Sequence, residues 1–325
     1  MASEESPNSL ELRFGRLGFG AAGIGNLYRN VPDDDARATL EAAWDGGIRY
    51  FDTAPHYGLG LSERRVGEFL RSKPREEFLI STKVGKLLRP NPEFSGQPDD
   101  EGFAVPAEFR RQWAPDEAGI RASLEDSLER LGLDSIDILY LHDPDVYNLE
   151  EGISQALPAL EKLRAEGLVK AIGVGANSSE ALLACVERAD LDLIMLAGRY
   201  TLLEQPALAD LLPACLERGV GVVNVGVFNS GLLASSTIRD DAHYNYQPAP
   251  EAVLEHARRL SALCREYDVE LPAAAIQFSL HHPAVETVVV GARTAAQIQQ
   301  NIESMNARIP QGLWAALARE GLVPA

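Results

Sequence analysis

The sequence is poor in cysteine, with only three among its 325 residues. Cys185, Cys215 and Cys264 lie far apart, none in a CxxC or CxxxC spacing, and each falls in an apolar stretch typical of a helix. A zinc site or a disulfide framework needs cysteines at closer or more regular intervals. We therefore expect three reduced thiols in the core, with a reactive odd thiol or a disulfide as the alternatives.

Long apolar runs and an excess of positive charge are also missing. Nowhere do about 18 apolar residues follow one another, so we expect no membrane-spanning helix. The start, MASEESPNSLELRF, has neither the basic residues nor the apolar run of a signal peptide, which predicts a soluble, cytoplasmic protein. Because 30 Lys and Arg face 48 Asp and Glu, we expect neither a nucleic acid nor an anionic membrane as partner.

Short β-rich apolar runs alternate with longer amphipathic stretches from about residue 17 to the end of the chain. The runs typical of buried strands cover residues 17–20, 48–52, 78–82, 136–141, 169–174, 193–196, 221–225 and 287–291. The stretches between them open with acidic or polar residues, and several end at glycine, as helices do. This alternation predicts an α/β fold with a parallel sheet covered by helices. Eight such units favour a closed (β/α)₈ TIM barrel over an open sheet.

The barrel is expected to form a single domain over residues 10–325, preceded by a disordered tail at residues 1–9. Residues 10–16 are expected to form a short strand or hairpin that plugs the mouth opposite the active site. Two connections are long, Val84–Trp113 after the third strand and Asn229–Glu251 after the seventh. Since TIM barrels carry their active sites at the strand C-termini, we interpret these loops as a substrate wall and a cofactor lid. Plain surface insertions are the alternative.

Four polar side chains follow three consecutive strand candidates. Asp52 and Tyr57 come after the second, Lys83 after the third and His142 after the fourth, so a barrel would bring them to one mouth. A phenol transfers protons at neutral pH only if its phenolate is stabilised. Lys83 would lower the pKa of Tyr57, Asp52 would orient Lys83, and His142 would hydrogen-bond to the reacting oxygen. Singly, each residue has a structural explanation as a turn cap or a solvated side chain.

Such a site moves a proton but offers no nucleophile, metal or electron sink. Hydride transfer with a borrowed cofactor would complete its chemistry. A metal-dependent hydrolase is disfavoured, because the adjacent His281 and His282 precede the eighth strand and would lie at the opposite mouth. We therefore interpret these two histidines as structural and expect no metal.

The stretch GIRYFDTAPHYG at 47–58, followed by Ser62-Glu63 and Gly67, resembles the signature of the aldo-keto reductases. Further similar motifs are STKV at 81–84, SLERLG at 127–132, DILYLH at 137–142, GLVKAIGV at 167–174 and SGLL at 230–233. The resemblance extends over nearly the whole chain. It implies a TIM barrel that transfers hydride with NAD or NADP and a catalytic set of Asp52, Tyr57, Lys83 and His142, in which Tyr57 donates and accepts the proton.

The resemblance also implies a cofactor site along the strand ends. It assigns to this site Gly20, Ala21, Asp52, Asn177, Phe228, Asn229, Ser230, Gly231, Leu232, Gly291, Arg293, Gln297 and Asn301. Asn177 is expected to contact the nicotinamide amide, in a Gly-Ala-Asn sequence where many members have Ser-Asn. Ala197 replaces a frequent Gln after the sixth strand. Val225 replaces a frequent aromatic residue after the seventh, which leaves Phe228 as the nearest aromatic ring.

The eighth unit bears on the choice between NAD and NADP. Members that prefer NADP have a Lys near position 291 and an Arg at position 297, which pair with the 2′-phosphate. This sequence has Gly291 and Gln297 there, which favours NAD while leaving NADP possible. Arg293 is a candidate phosphate clamp, with adenine stacking or solvent contact as the alternative.

Within the family, the long loop after the third strand and the run Leu141–Asp145 resemble those of one branch. This branch contains the L-fucose, D-threo-aldose, L-galactose and pyridoxal dehydrogenases. This resemblance implies oxidation of the anomeric carbon of a small aldose to a lactone, with a sugar or aldehyde as small-molecule substrate and the oligomeric state left open. Pyridoxal oxidation, NADPH-dependent aldehyde reduction and a cofactor-sensing subunit like the potassium-channel β subunits are the alternatives. The candidate substrate-wall residues are Phe103, Trp113, His243, Tyr244 and Tyr246.

Overall fold

The computed structural model describes residue 12 and residues 14–245 and 247–324. In this part of the chain, eight parallel strands pair in sequence order, and the last pairs with the first to close a barrel. The strands are β1 (Leu17–Gly20), β2 (Tyr50–Asp52), β3 (Leu79–Val84), β4 (Ile138–His142), β5 (Ala171–Ala176), β6 (Leu193–Ala197), β7 (Gly221–Val225) and β8 (Val285–Gly291). The predicted TIM barrel is confirmed. The tail predicted at residues 1–9 lies outside the described residues, so its disorder and the domain boundary stay predictions.

Helices cover the outside of the barrel. They are α1 (Asp33–Asp45), α2 (Leu61–Leu70), α3 (Glu117–Leu131), α4 (Leu157–Ala165), α5 (Ser179–Arg188), α6 (Leu211–Arg218), α7 (Glu251–Glu266), α8 (Leu271–Phe278), α9 (Ala295–Asn306) and α10 (Gln311–Arg319). Local signals explain their ends. The α3 helix begins where the Asp116 side chain accepts a hydrogen bond from the Gly119 amide, and it ends at Gly132, whose φ is 61°.

Shorter elements fill the connections. One-turn helices cover Gly23–Gly25, Arg75–Glu77, Pro144–Tyr147, Leu149–Glu151, Pro206–Leu208 and Ser279–His281, and a π-helix covers Gly152–Ala156. The long loop after β3 carries an antiparallel hairpin that was not predicted, formed by Lys86–Pro90 and Phe109–Trp113. A smaller hairpin, His243–Tyr244 with Gln247–Pro248, stands in the loop after β7. The β2 strand begins later than expected because the Ile48 amide still closes the last turn of α1 on the Ala43 carbonyl.

The barrel interior is filled by apolar and aromatic side chains. Tyr50, Tyr140 and Met195 are buried there, and Leu12 and Phe14 pack against them from the N-terminal mouth, with the Phe14 ring 5.0 Å from that of Tyr50. The predicted plug is therefore in place, but its described residues, Leu12 and 14–16, form no strand. Leu10, Glu11 and Arg13 of this segment lie outside the described residues.

The remaining structural expectations concern cysteines and histidines. Cys185, Cys215 and Cys264 are free and buried, and burial raises the pKa of each thiol to about 12, which confirms them as core thiols. His281 packs edge-on against Trp314, with the ring centroids 4.4 Å apart, and His282 Nδ1 accepts a hydrogen bond from the Ala284 amide. In the described residues, no helix is long and apolar enough to cross a bilayer, and no three His, Cys, Asp or Glu side chains form a metal-binding group.

Close packing of α2 on the end of α3 depends on Gly67. A Cβ atom at this position would lie 2.0 Å from the Leu131 carbonyl oxygen. This oxygen belongs to the backbone, so the helix would have to shift to make room. We expect Gly67→Ala to lower the free energy of unfolding by about 1–3 kcal/mol, as overpacking does, measured by urea titration. Gly15→Ala is the control, since its Cβ would meet nothing closer than the Leu17 carbonyl at 3.8 Å. Equal midpoints for the two variants would contradict this packing argument.

Candidate active site

A buried ion pair lies at the C-terminal mouth of the barrel. Lys83 Nζ, on β3, is 2.6 Å from Asp52 Oδ2 at the end of β2, and the two side chains are only 2% and 4% exposed. Lys83 also donates to the Thr53 carbonyl at 3.0 Å. The second Asp52 oxygen accepts a hydrogen bond from Ser81 Oγ at 2.7 Å. Both charges therefore have the partners that burial requires.

Tyr57 lies against this pair, with Lys83 Nζ 4.7 Å from the centroid of its ring. Burial raises the pKa of Tyr57 to about 12, while the Lys83 charge lowers it and the Asp52 charge raises it. Lys83 thus acts in the expected direction, but the lost solvation of the phenolate outweighs it, so the net shift is opposite to the one expected. Burial opposes the charge on Lys83 as well, but Asp52 and Tyr57 outweigh burial and raise its pKa, so it stays protonated.

Two histidine rings form the next part of the mouth. His142, at the end of β4, lies edge-on to Tyr57 with ring centroids 5.8 Å apart, and edge-on to His56 at 5.4 Å. Burial, followed by the charges of Lys86 and Lys83, lowers the pKa of His142 well below its usual value. Burial and nearby cations also lower the pKa of His56, to about 2. Both rings are therefore neutral, and each presents one N–H group and one lone pair.

Two adjoining cavities open above these residues. The inner cavity, of about 540 Å³, is lined by Tyr57, Lys83 and His142 at its base. The outer cavity, of about 410 Å³, extends over the ends of β7 and β8. They share Ala22, Leu27, Tyr28 and Gly226 as lining residues. Of the four predicted catalytic residues, Tyr57, Lys83 and His142 line the inner cavity, and Asp52 lies behind Lys83.

Most residues predicted for the cofactor lie at these cavities. Asn177 lines the inner one. The outer one is lined by Phe228, Asn229, Ser230, Gly231, Gly291, Arg293, Gln297 and Asn301. Phe228 is therefore in the cavity away from Tyr57, and the inner cavity is instead faced by Val225 and Ala197.

Four residues predicted to contact the cofactor line neither cavity. Leu232 is packed in the hydrophobic core. Asp52 is covered by Lys83, and Gly20 is paired on β1 between Gly291 and Asp52. Ala21 is fully buried, and its carbonyl accepts a hydrogen bond from Ser62 Oγ. Beyond the end of β1, where a short helix begins, Ala22 and Gly23 line the outer cavity.

The outer end of the cavity combines a helix terminus with arginine. Thr294 caps α9 by accepting a hydrogen bond from the Gln297 amide, and Gln297 Oε1 accepts one from the Arg293 amide at 2.9 Å. The Arg293 guanidinium lies 5.8 Å from the Tyr28 ring centroid, and its buried Nε has no hydrogen-bond partner among the described residues. Burial and the neighbouring Arg29 lower the pKa of Arg293. An unpaired buried donor and a second cation suit an anionic group, such as a phosphate of a dinucleotide.

The residues predicted for the substrate wall lie in different environments. Phe103 lines the inner cavity, but Trp113 does not, because its ring stacks on Tyr147 with centroids 5.1 Å apart. Tyr244 donates to Glu204 Oε1 at 2.9 Å and so ties the hairpin after β7 to the loop after β6. His243 lies exposed on this hairpin, and Tyr246 lies outside the described residues.

Sequence reasoning missed a charged group beside His142. Lys86 Nζ lies 3.2 Å from Asp143 Oδ2, and Glu101 and His56 line the same cavity as Asp143. In the sequence, Asp143 stands out only as part of the run Leu141–Asp145. Lys86 begins the hairpin after β3, which the sequence pattern did not predict. The two leucines that follow Lys86 are the one signal that could have indicated its burial.

Comparison with known proteins agrees with this geometry. A model of the aldo/keto reductase family matches residues 16–319. The chain is 56% identical to a D-threo-aldose 1-dehydrogenase from a Pseudomonas species, with 99% of both chains covered. It is 40% identical to a pyridoxal 4-dehydrogenase from Microbacterium luteolum, with 94% of both covered.

A solved structure supports the same assignment. The holo form of an aldo-keto reductase from Bacillus halodurans superposes with a TM-score of 0.75 at 27% identity, covering 97% of this chain and 94% of that one. The chain therefore belongs to the aldo/keto reductase family and is an oxidoreductase that uses a nicotinamide cofactor.

Proposed function

We propose that this enzyme oxidises the anomeric carbon of a small aldose to a lactone, with NAD as its preferred cofactor and Tyr57 as the base. The observation that carries the proposal is the meeting of Tyr57, Lys83 and His142 at the base of one 540 Å³ cavity. The similarity to a D-threo-aldose 1-dehydrogenase over nearly its full length supports the substrate class.

Each residue at this mouth has a distinct task in the proposal. Tyr57, as tyrosinate, takes the proton of the anomeric hydroxyl, and the Lys83 ammonium stabilises the tyrosinate. Asp52 holds Lys83 in place and keeps it charged through their 2.6 Å contact. His142 is neutral, so it can hydrogen-bond to the reacting oxygen without adding charge. When bound, the nicotinamide supplies the hydride acceptor.

The outer cavity is where the chain would hold the rest of the dinucleotide. The buried Arg293 Nε and Asn229 Oδ1 both have no hydrogen-bond partner among the described residues, so each is available to a polar ligand. Gln297, whose side chain already accepts from the Arg293 amide, adds no positive charge for a 2′-phosphate. This is why we prefer NAD to NADP.

The proposal is tested by initial rates of cofactor reduction with NAD, and separately with NADP, on L-fucose, D-arabinose, L-galactose, pyridoxal and simple alcohols. We expect a strong NAD-dependent signal on at least one sugar. Activity only as NADPH-dependent aldehyde reduction would overturn both the direction and the cofactor. Slow turnover with tight cofactor retention would instead point to a cofactor-sensing subunit.

Pyridoxal is the second candidate substrate, and the 40% identity to a pyridoxal 4-dehydrogenase favours it. Its cyclic hemiacetal presents a carbon with the same C–H and O–H groups as an anomeric centre, so the same residues would act on it. A pyridoxal rate that exceeds every sugar rate would select this candidate.

Tyr57→Phe removes the phenolic oxygen while keeping the ring against Lys83. We expect kcat to fall by about 10²- to 10⁴-fold, the usual contribution of a general base. Cofactor binding, followed by protein fluorescence, should change little because the outer cavity is untouched. Tyr267→Phe at the end of α7 is the matched control. Normal turnover by Tyr57→Phe would remove the tyrosine from the mechanism.

The pH profile should differ between the two directions. With a pKa of about 12, Tyr57 is protonated at neutral pH, so the base form needed for oxidation grows as pH rises. We expect kcat/KM for aldose oxidation to increase by about tenfold per pH unit from about pH 6 until the tyrosine titrates. The positive charge of oxidised nicotinamide lowers the pKa, so the plateau should lie below 12. Aldehyde reduction uses the protonated form and should be flat over this range; a flat oxidation profile would count against a tyrosine base.

Gln297→Arg should shift the cofactor preference toward NADP. A charge-assisted contact to a phosphate is worth roughly 1.5–3 kcal/mol, so the NADP to NAD ratio of kcat/KM should rise by about 10- to 100-fold. Gln297→Leu is the control, since it also removes the side-chain contact to the Arg293 amide but adds no charge. An unchanged ratio in Gln297→Arg would show that this position does not face the 2′ position.

A further inference from the structure

Asp143 lies directly after His142 and lines the same inner cavity as Tyr57. Its side chain is 25% exposed, while the Lys86 side chain that pairs with it is only 5% exposed. Neither residue has a task in the reaction described above. A carboxylate in the wall of a reaction cavity must be compensated by whatever fills the cavity, so its presence constrains the substrate.

The position of the Asp143 carboxylate is tightly held. Lys86 Nζ lies 3.2 Å from Oδ2, and His142 Nε2 lies 3.3 Å from the same oxygen. The Lys86 ammonium also lies 5.2 Å from the centroid of the Tyr147 ring. Because a buried ammonium needs an anionic partner, Lys86 and Asp143 fix each other's rotamers.

The backbone at Asp143 is equally constrained. Its φ is 46° and its ψ is 57°, a left-handed conformation that costs free energy for a residue with a side chain. The conformation is maintained by a hydrogen bond from the Asp143 amide to the Gly175 carbonyl at 2.8 Å. The next residue, Pro144, packs so closely on the π-helix that a Cβ atom at Gly152 would lie 2.8 Å from its Cβ.

Both contacts of Asp143 use Oδ2, and Oδ1 has no hydrogen-bond partner among the described residues. His56 also lines this cavity, and its buried Nδ1 atom has no hydrogen-bond partner among the described residues. We propose that Asp143 Oδ1 is a hydroxyl-accepting subsite that selects a neutral, polyhydroxylated substrate over apolar and anionic ones. This inference rests on the proposed aldose oxidation and names the group that recognises the hydroxyls beyond the reacting carbon.

The selectivity arises because sugars, apolar chains and anions differ in the free energy with which they fill the cavity. A sugar hydroxyl donates to Asp143 and replaces the water that the carboxylate loses, whereas an apolar chain leaves the carboxylate without a donor. A phosphorylated sugar brings a further anion into a cavity that Asp143 and Glu101 already line. The single charge of Asp143 thus disfavours both apolar and anionic substrates.

The test is Asp143→Asn in the full chain with bound NAD, because asparagine keeps the shape and tolerates the left-handed backbone. We expect kcat/KM for the best aldose to fall by about 10- to 100-fold, the loss of one charge-assisted hydrogen bond. For the deoxy analogue that lacks the recognised hydroxyl, the fall should be less than about threefold, since the contact is already absent. Asp145→Asn, two residues on and exposed, makes the same charge change and should alter neither value.

A fall by the same factor for the aldose and all its deoxy analogues, or no fall for any, would overturn the subsite while leaving aldose oxidation standing. Failure of the wild type to oxidise any aldose would overturn the proposed function itself. If Asp143→Asn does not fold, Lys86→Met provides the second test. It releases Asp143 without removing it, so KM should rise for the aldose and change little for the deoxy analogue; an unchanged KM for the aldose would contradict the proposal.

Discussion

An ammonium and a carboxylate 2.6 Å apart, both almost fully buried, impose their arrangement on the mouth of this barrel. Each charge would be costly without the other. Asp52 ends β2 and Lys83 lies near the end of β3, so the register of two neighbouring strands sets their distance. Ser81 donates a hydrogen bond to the second Asp52 oxygen, and Lys83 donates one to the Thr53 carbonyl. Tyr57, in the loop after β2, therefore meets a cation whose position the barrel itself determines.

At the same mouth, burial and neighbouring charges together set the protonation state of each titratable group. Loss of solvent raises the pKa of Tyr57 and lowers that of His142, and nearby lysines reinforce the second effect while opposing the first. The result is a protonated phenol, a neutral imidazole and a permanently charged lysine. Asp143 adds a negative charge beside His142 and, through Coulomb repulsion, also raises the pKa of Tyr57. A bound cation, such as oxidised nicotinamide, would lower the pKa of Tyr57 and so favour the tyrosinate.

The fold and the meeting of Asp52, Tyr57, Lys83 and His142 at one mouth could be predicted because both follow from short-range order in the sequence. Asp52, Lys83 and His142 lie at the C-terminal ends of apolar strands, and these ends meet at one mouth. The burial of Leu232 and the hairpin after β3 could not be predicted in this way. Both depend on how long connections turn back onto the barrel, which leaves no period in the sequence. The pKa of Tyr57 was misjudged for a related reason, since burial in the finished cavity outweighs the one charge that the motif shows.

We propose that a hydride leaves the anomeric carbon of an aldose at this mouth. The most direct measurement uses the best aldose substrate carrying deuterium at carbon 1, with oxidised cofactor in excess and products followed by mass spectrometry and proton NMR. We expect the deuterium on the reduced nicotinamide and a lactone without deuterium as the sugar product. A reduced cofactor without deuterium, together with a sugar product that keeps the label, would rule out hydride transfer from carbon 1.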